Sequence, residues 1–329
     1  MDEQNKKRMK IKIRILCGIV VIFVATGIAY AFTLNRYLNQ NNHIDENIIP
    51  MQTETVETEP ATETMVTTET ESIPEETQET KPVVPKELTF KETCTENYTD
   101  EMAQTELTYL SDTTYIAVFQ NEINGSPYTL AHVVIKSPNQ ISTTVSKTRR
   151  LSIKLYEDEN ALLAMSSSML AGYINFMDGL HITNSETISS NQIPIGTELA
   201  CDTSGTLYKM QPDTPTDNIV FTILADTPLL IQNNEAVQIP DAIAPSKTCK
   251  SAIGMVKPCE YYFLTASDGD YINDITYADM QNILLEKNCS FAQSLTKDVN
   301  VAMSFKGELV NRPADKSGRT QYEYLIIKD

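Results

Sequence analysis

Apolar positions fall into three regimes along this chain. From Ile15 to Leu34 no residue is charged, and a basic head holding Lys6, Lys7, Arg8, Lys10, Lys12 and Arg14 precedes the run. Twenty helical residues rise about 30 Å, the thickness of a bilayer's hydrocarbon core, so the pattern predicts a transmembrane helix over 15–34. Backbone amides in lipid must bond one another, and a basic flank stays cytoplasmic. The expected placement is therefore the cell membrane, single-pass, with residues 1–14 cytoplasmic and everything after Arg36 outside. A cleaved signal peptide is the rival reading, because Ala29-Tyr30-Ala31 fits a signal-peptidase site. The apolar run exceeds the roughly 7 to 15 residues of a signal core, which favours the uncleaved anchor. Both readings export the remainder.

The second regime is the near-absence of apolar residues. From Met51 to Thr80 the chain is a Thr-Glu tract with no aromatic residue and no period of 2 or 3.6. Such a segment cannot bury enough surface to offset the entropy of ordering, so 35–87 reads as a disordered acidic linker. As a flexible chain it would span about 40 Å root-mean-square, lengthened by its own repulsion.

Short apolar bursts begin near Leu88 and define an exported domain over 88–329, about 240 residues, enough for one sizeable core. Tyr115 to Phe119, Leu130 to Ile135 and Ile219 to Leu224 are β-branched or aromatic runs bounded by turn residues, with Asn124-Gly125 placed as a hairpin turn. A helix is expected from Thr276, where Thr276 and Asp279 have capping-box spacing. Tyr277, Met280, Ile283 and Leu284 share one face of it, and Asn288 can end it. The class is α+β, a mixed β-sheet core with a few helices.

Charge narrows the partners. The net charge is -18, of which about -10 lies between His43 and Glu87 and about -13 beyond. Nucleic acid, which rewards clustered Lys and Arg, is excluded as a partner, and docking on anionic lipid is disfavoured. Of the six cysteines, Cys17 lies in the expected span, and no two form a Cys-x-x-Cys. One or two disulfides stay open for an exported domain, with the pairing unread. Three histidines, none spaced i, i+4 from another ligand type, give no metal site, and no cofactor motif is present. Asp268, Asp270 and Asp274 lack the spacing of a calcium loop. Ser294-Leu-Thr-Lys297, Ser137-Pro-Asn139 and Lys316-Ser-Gly318 imitate penicillin-binding-protein motifs in the wrong order.

A series of blocks carries the chemistry. Ala161 to Leu170 precedes Gly205, then Thr227 to Asn234, then Cys249-Lys-Ser-Ala-Ile-Gly254 and Phe263-Leu-Thr-Ala-Ser-Asp-Gly269. Phe291 to Met303 and Lys306-Gly-Glu-Leu-Val-Asn-Arg-Pro313 follow the capped helix. In this order the blocks resemble the phosphodiester glycosidase domain, the family of the enzyme that uncovers mannose 6-phosphate and of bacterial exopolysaccharide biosynthesis proteins. The resemblance covers roughly Tyr115 to Ile327. It implies Lys250, Ser251, Asn311 and Arg319 as ligand-holding positions and Asp268 as catalytic if the domain is active.

The chain departs from that family at the positions that do chemistry. Ser166-Ser-Ser-Met-Leu170 stands where the family reads Asn-Gly-(Gly or Asp)-Phe-Phe, and Asp270 replaces the Arg after Asp-Gly. Asn-Leu-Asp-Gly-Gly-Gly-Ser-Ser becomes Ser294-Leu-Thr-Lys-Asp-Val-Asn-Val301. Cleaving a sugar-phosphate diester needs donors around the phosphate and carboxylates at the glycosidic oxygen. Thr296 cannot replace a carboxylate, and Lys297, Asp298 and Val299 hold a backbone further from phosphate than glycines do. The expected function is a catalytically degenerate module that binds an envelope glycan or envelope protein. The alternative is an active hydrolase of sugar-phosphate diesters in exopolysaccharide or envelope glycan metabolism.

Overall fold

The structure is a computed structural model that describes residues 87–329, except 168–178, 192–197, 212–213, 226, 268–272, 297–300, 312 and 314–320. The apolar run 15–34, the linker to Lys86, Asp268 and Arg319 therefore lie outside the described residues. Among those described, no helix is long and apolar enough to cross a membrane.

Among the described residues eighteen strands, β1 to β18 in chain order, carry the architecture. The larger sheet holds β1 (Thr108–Leu110), β2 (Thr114–Ile123), β3 (Ser126–Ile135), β11 (Leu229–Gln232), β12 (Glu235–Ala236), β13 (Lys250–Lys257), β14 (Glu260–Ala266) and β15 (Phe291–Thr296). Their order is β1-β2-β3-β14-β13-β15-β11-β12. A five-stranded sheet holds β4 (Ile141–Arg150), β5 (Leu163–Ser166), β16 (Met303–Phe305), β17 (Glu308–Leu309) and β18 (Gln321–Ile327), in the order β17-β16-β5-β18-β4. The hairpin β6 (Gly179–Thr183) and β7 (Glu186–Asn191) stands beside a three-stranded sheet of β8 (Glu198–Asp202), β9 (Leu207–Lys209) and β10 (Ile219–Leu224). The strands expected from pattern lie within β2, β3 and β10. Asn124 and Gly125, at φ 52° and 79°, make the two-residue hairpin turn that favours this pair.

The α+β class stands, and the expected mixed core is narrower in one respect. Every ladder among the described residues runs antiparallel. Parallel neighbours need long crossovers, usually helical, and the described residues hold few helices with which to make them.

Two faces of the larger sheet bury different layers. On the inner face Val118, Ala131, Phe263 and Ile253 meet Met165, Met303 and Leu325 of the five-stranded sheet and Phe221 of the three-stranded one. Each such side chain taken fully from water contributes about 1.5 to 3 kcal/mol. On the outer face Leu130, Ala252 and Leu264 meet Met280, Ile283 and Leu284 of a helix over Tyr277–Glu286. Two further helices precede it, α1 (Phe90–Met102) and α2 (Leu155–Glu159), so it is α3. The Thr276–Asp279 box caps α3, and Asn288 turns the chain away at φ 58°. Gly254 lets α3 sit close to β13, because a Cβ there would stand 2.6 Å from Cys289 Sγ and 3.1 Å from Leu284 Cδ2.

α1 was not expected. Its Thr89–Glu92 capping box and its stripe of Phe90, Cys94, Tyr98 and Met102 lay it over Tyr115 and Ala117, also on the outer face. The chain kinks at Tyr98, whose ring stacks on Tyr115 at 4.9 Å.

Candidate functional site

At one end of the inner face the apolar rows give way to hydroxyls and amides. Register sets Gln120 opposite Thr129, Thr129 opposite Thr265, Thr265 opposite Ser251, and Ser251 opposite Thr296 across a bulge. A polar row thus crosses β2, β3, β14, β13 and β15, one residue per strand, because side chains in register share a face.

The five-stranded sheet closes on this row through β5 and β16. Ser251 Oγ donates to the Ser166 carbonyl at 2.8 Å, and the Ala302 amide donates to Ser166 Oγ at 3.1 Å. Asn311 is the other clamp. Its amide nitrogen donates to Ser267 Oγ at 2.8 Å and to the Val301 carbonyl at 2.7 Å, while its oxygen accepts from the Met303 amide at 2.8 Å. Gln120 Nε2 and Thr129 Oγ1 both donate to the Val310 carbonyl, at 2.6 and 3.3 Å. The strand ends are held to one another by side chains.

Three buried hydroxyls in this region, Ser167, Thr265 and Thr296, have no hydrogen-bond partner among the described residues. A buried hydroxyl without a partner costs about 1 to 3 kcal/mol, so these three hold unused hydrogen-bonding capacity at the polar end. Beside it opens a cavity of about 420 Å³, lined by Asn121, Glu122, Tyr128, Thr129, Ser267 and Asn311 among others. That volume suits a small ligand or one or two sugar rings. Tyr128 lines the mouth but turns its ring to the outer layer beneath α3, where burial and the charge of Glu286 raise its hydroxyl.

The positions expected from sequence separate on this geometry. Ser251 and Asn311 are brought together through Ser166, Val301 and Ala302. Lys250 is not with them. One residue along β13 from Ser251, it faces α3, where its amine donates to the carbonyls of Thr248 at 2.6 Å and Ile275 at 2.9 Å and lies 5.3 Å from the Tyr277 ring centroid. Burial pushes the Lys250 amine down to about 8, against the pull of Cys249 and Asp279. Asp268 and Arg319 are outside the described residues, although Asp268 follows Ser267 directly in the chain. Gln120, Thr129, Thr265 and Ser267 escaped the sequence reading. Their only local signal is a polar residue among apolar strand neighbours, and the shared row follows from long-range register.

Other chemistry is sparse. Among the described residues no cluster of three His, Cys, Asp or Glu side chains could hold a metal. Among the described residues no two cysteines are joined in a disulfide, and burial raises the thiols of Cys201 and Cys289 to about 12, so both stay neutral.

Sequence comparison brings no relative: neither a family model nor a curated protein matches the chain. Solved structures do. The catalytic domain of zebrafish N-acetylglucosamine-1-phosphodiester alpha-N-acetylglucosaminidase, auto-inhibited by its pro-peptide, superposes with a TM-score of 0.58 at 13% identity. The match covers 67% of this chain and 84% of that one. A hypothetical protein from Synechocystis aligns with a TM-score of 0.43 at 11% identity, covering 66% of this chain and 62% of that one. The domain thus has a fold distantly related to that phosphodiester glycosidase.

Proposed function

We propose that this chain is a membrane-anchored, extracytoplasmic module of phosphodiester-glycosidase fold that no longer hydrolyses and instead binds a glycan of the bacterial envelope. Thr296 carries the reading. It stands where the family pattern has an aspartate, is 1% exposed, and presents an unpartnered hydroxyl beside Ser251. A threonine hydroxyl neither accepts nor delivers a proton near neutral pH as a carboxylate does.

Binding is supported by the cavity lining. Hydroxyls and side-chain amides match the hydroxyl pattern of a sugar, and Glu122 adds a carboxylate that can accept from them. Ser251 and Asn311 are positioning residues in this scheme, since their hydrogen bonds hold the strand ends that form the wall.

The test uses the purified full chain. Against a sugar-1-phosphate diester no turnover is expected, and turnover that disappears in Asp268→Asn overturns the reading in favour of an active hydrolase. Against N-acetylglucosamine oligosaccharides and envelope polysaccharide, titration calorimetry is expected to show binding that Glu122→Ala weakens about tenfold. Binding unchanged by that variant moves the glycan site elsewhere.

A further inference from the structure

Away from the cleft, beneath α1, an imidazole is sealed between two carboxylates. His132 of β3 is 1% exposed. Its Nδ1 lies 2.6 Å from Glu101 Oε2 of α1, and its Nε2 lies 3.2 Å from Glu260 Oε1 of β14. Ionised carboxylates only accept hydrogen bonds, so both ring nitrogens must carry protons, whereas a neutral imidazole has one. With both carboxylates ionised, the buried ring is an imidazolium.

Its surroundings are built for that charge. Tyr262 stacks on the ring at 4.5 Å, and Tyr98 and Tyr115 meet it edge-on at 4.8 and 5.5 Å. The Tyr115 and Tyr262 hydroxyls donate to Glu101 at 3.2 and 3.5 Å. Lys257 pairs with Glu260 at 3.1 Å, and Lys287, at the end of α3, lies 5.8 Å from the Tyr262 ring centroid. Cys94 of α1 is raised by burial to about 11, and the hydroxyls of Tyr98, Tyr115 and Tyr262 are raised by burial and by the carboxylates, so these groups stay neutral.

We propose that Glu101, His132 and Glu260 form a proton-dependent clasp that holds α1 on the sheet and lets it go as the imidazolium is lost. Burial alone would lower the His132 imidazole, but Glu101 and Glu260 outweigh burial and hold it above its ordinary 6.5. Its contribution is complete below 6.5 and disappears as pH rises through the higher folded value. Burial alone would raise the two carboxylates, but His132 holds both below their ordinary 4.5, helped by Tyr115 and Lys287 at Glu101 and by Lys257 at Glu260. Their contribution is complete above 4.5 and disappears as pH falls through the lower values. The clasp is tightest between these limits. On the alkaline side the ring loses its charge and one of its two N–H donors; β3 and β14 stay joined by their backbone ladder, whereas α1 keeps only the weakened clasp and its apolar stripe, so α1 is the part that loosens.

Amide hydrogen exchange on the full chain, corrected for intrinsic rates, tests this between about pH 5.5 and about pH 9.5. Protection of α1 is expected to fall more than tenfold relative to β14 across the range. In Glu101→Gln, α1 protection at the lower pH is expected to drop about tenfold, the low end for a hydrogen bond to a charged group, and its pH dependence to flatten. Glu101 is 23% exposed, so this variant keeps the sheet folded, which β14 protection checks in the same experiment. A constant ratio of α1 to β14 protection, loss of both together, or a wild-type pH profile in Glu101→Gln overturns the proposal.

Discussion

Asn311 ties three backbone and side-chain groups with one amide, and its removal leaves the Met303 amide and the Val301 carbonyl unpaired at a buried strand end. Asn311→Ala is expected to cost about 2 to 3 kcal/mol, read as a lower urea midpoint at an unchanged slope. Gly254→Ala meets a different obstacle, the Cys289 sulfur and Leu284. A cost of about 1 to 3 kcal/mol is expected, and Cys289→Ala should recover part of it in the double variant, because the two residues share one contact. Legibility at this scale ends at the pleat. Lys250 and Ser251 are adjacent and look equally suited to a ligand in the sequence, yet one step along a strand reverses the face, and only the packed sheets say which face meets the cleft. The resemblance pointed to Ser251 and Asn311, and both stand at the polar end. The hydroxyls they join come from strands far away in the chain.

Helices α1 and α3 carry the same start signal, a threonine followed three residues later by an acid, and both boxes close in full. α3 was readable because four apolar residues cluster on one face within two turns. α1 spreads its apolar residues in single file at Phe90, Cys94, Tyr98 and Met102 and breaks helical geometry at Tyr98, which weakens the periodic pattern. Thr89→Ala is expected to loosen α1 by about 1 kcal/mol, seen as faster amide exchange in α1 with the sheet unaffected. Strand order is a further limit of pattern. β3 pairs with β14, where His132 stands opposite Tyr262 and bonds Glu260, 128 positions away, and no local period encodes such a partner. Antiparallel hairpins such as β2–β3 are legible through their turns, whereas the central pairing of the larger sheet is not.

At the scale of the whole domain, the two main sheets are held together outside the core as well as within it. Asp329, beyond β18, accepts from the hydroxyls of Tyr109 at 2.7 Å, Ser111 at 2.5 Å and Thr113 at 2.6 Å, which joins the five-stranded sheet to the β1–β2 edge of the larger one. Burial opposes ionisation here, but the three hydroxyls prevail and hold the carboxyl down to about 2. Its contribution is present above the ordinary 3.8 and is lost as pH falls through about 2. Because the group is largely exposed, Asp329→Asn is expected to cost less than about 1 kcal/mol and to remove that step from the acid limb of a pH–stability curve.

The position of α1 also gives the domain a mechanical grain. The chain enters α1 at Thr89, while Glu101, its attachment to His132, lies near the other end. A pull applied at Glu87 therefore peels the helix from its free end, turn by turn, as the contacts of Phe90 and Cys94 with the sheet give way before those of Glu101. Thirteen residues drawn from helix to extended chain release about 25 Å of slack. A load on the preceding chain would draw on that length before it strained the cleft.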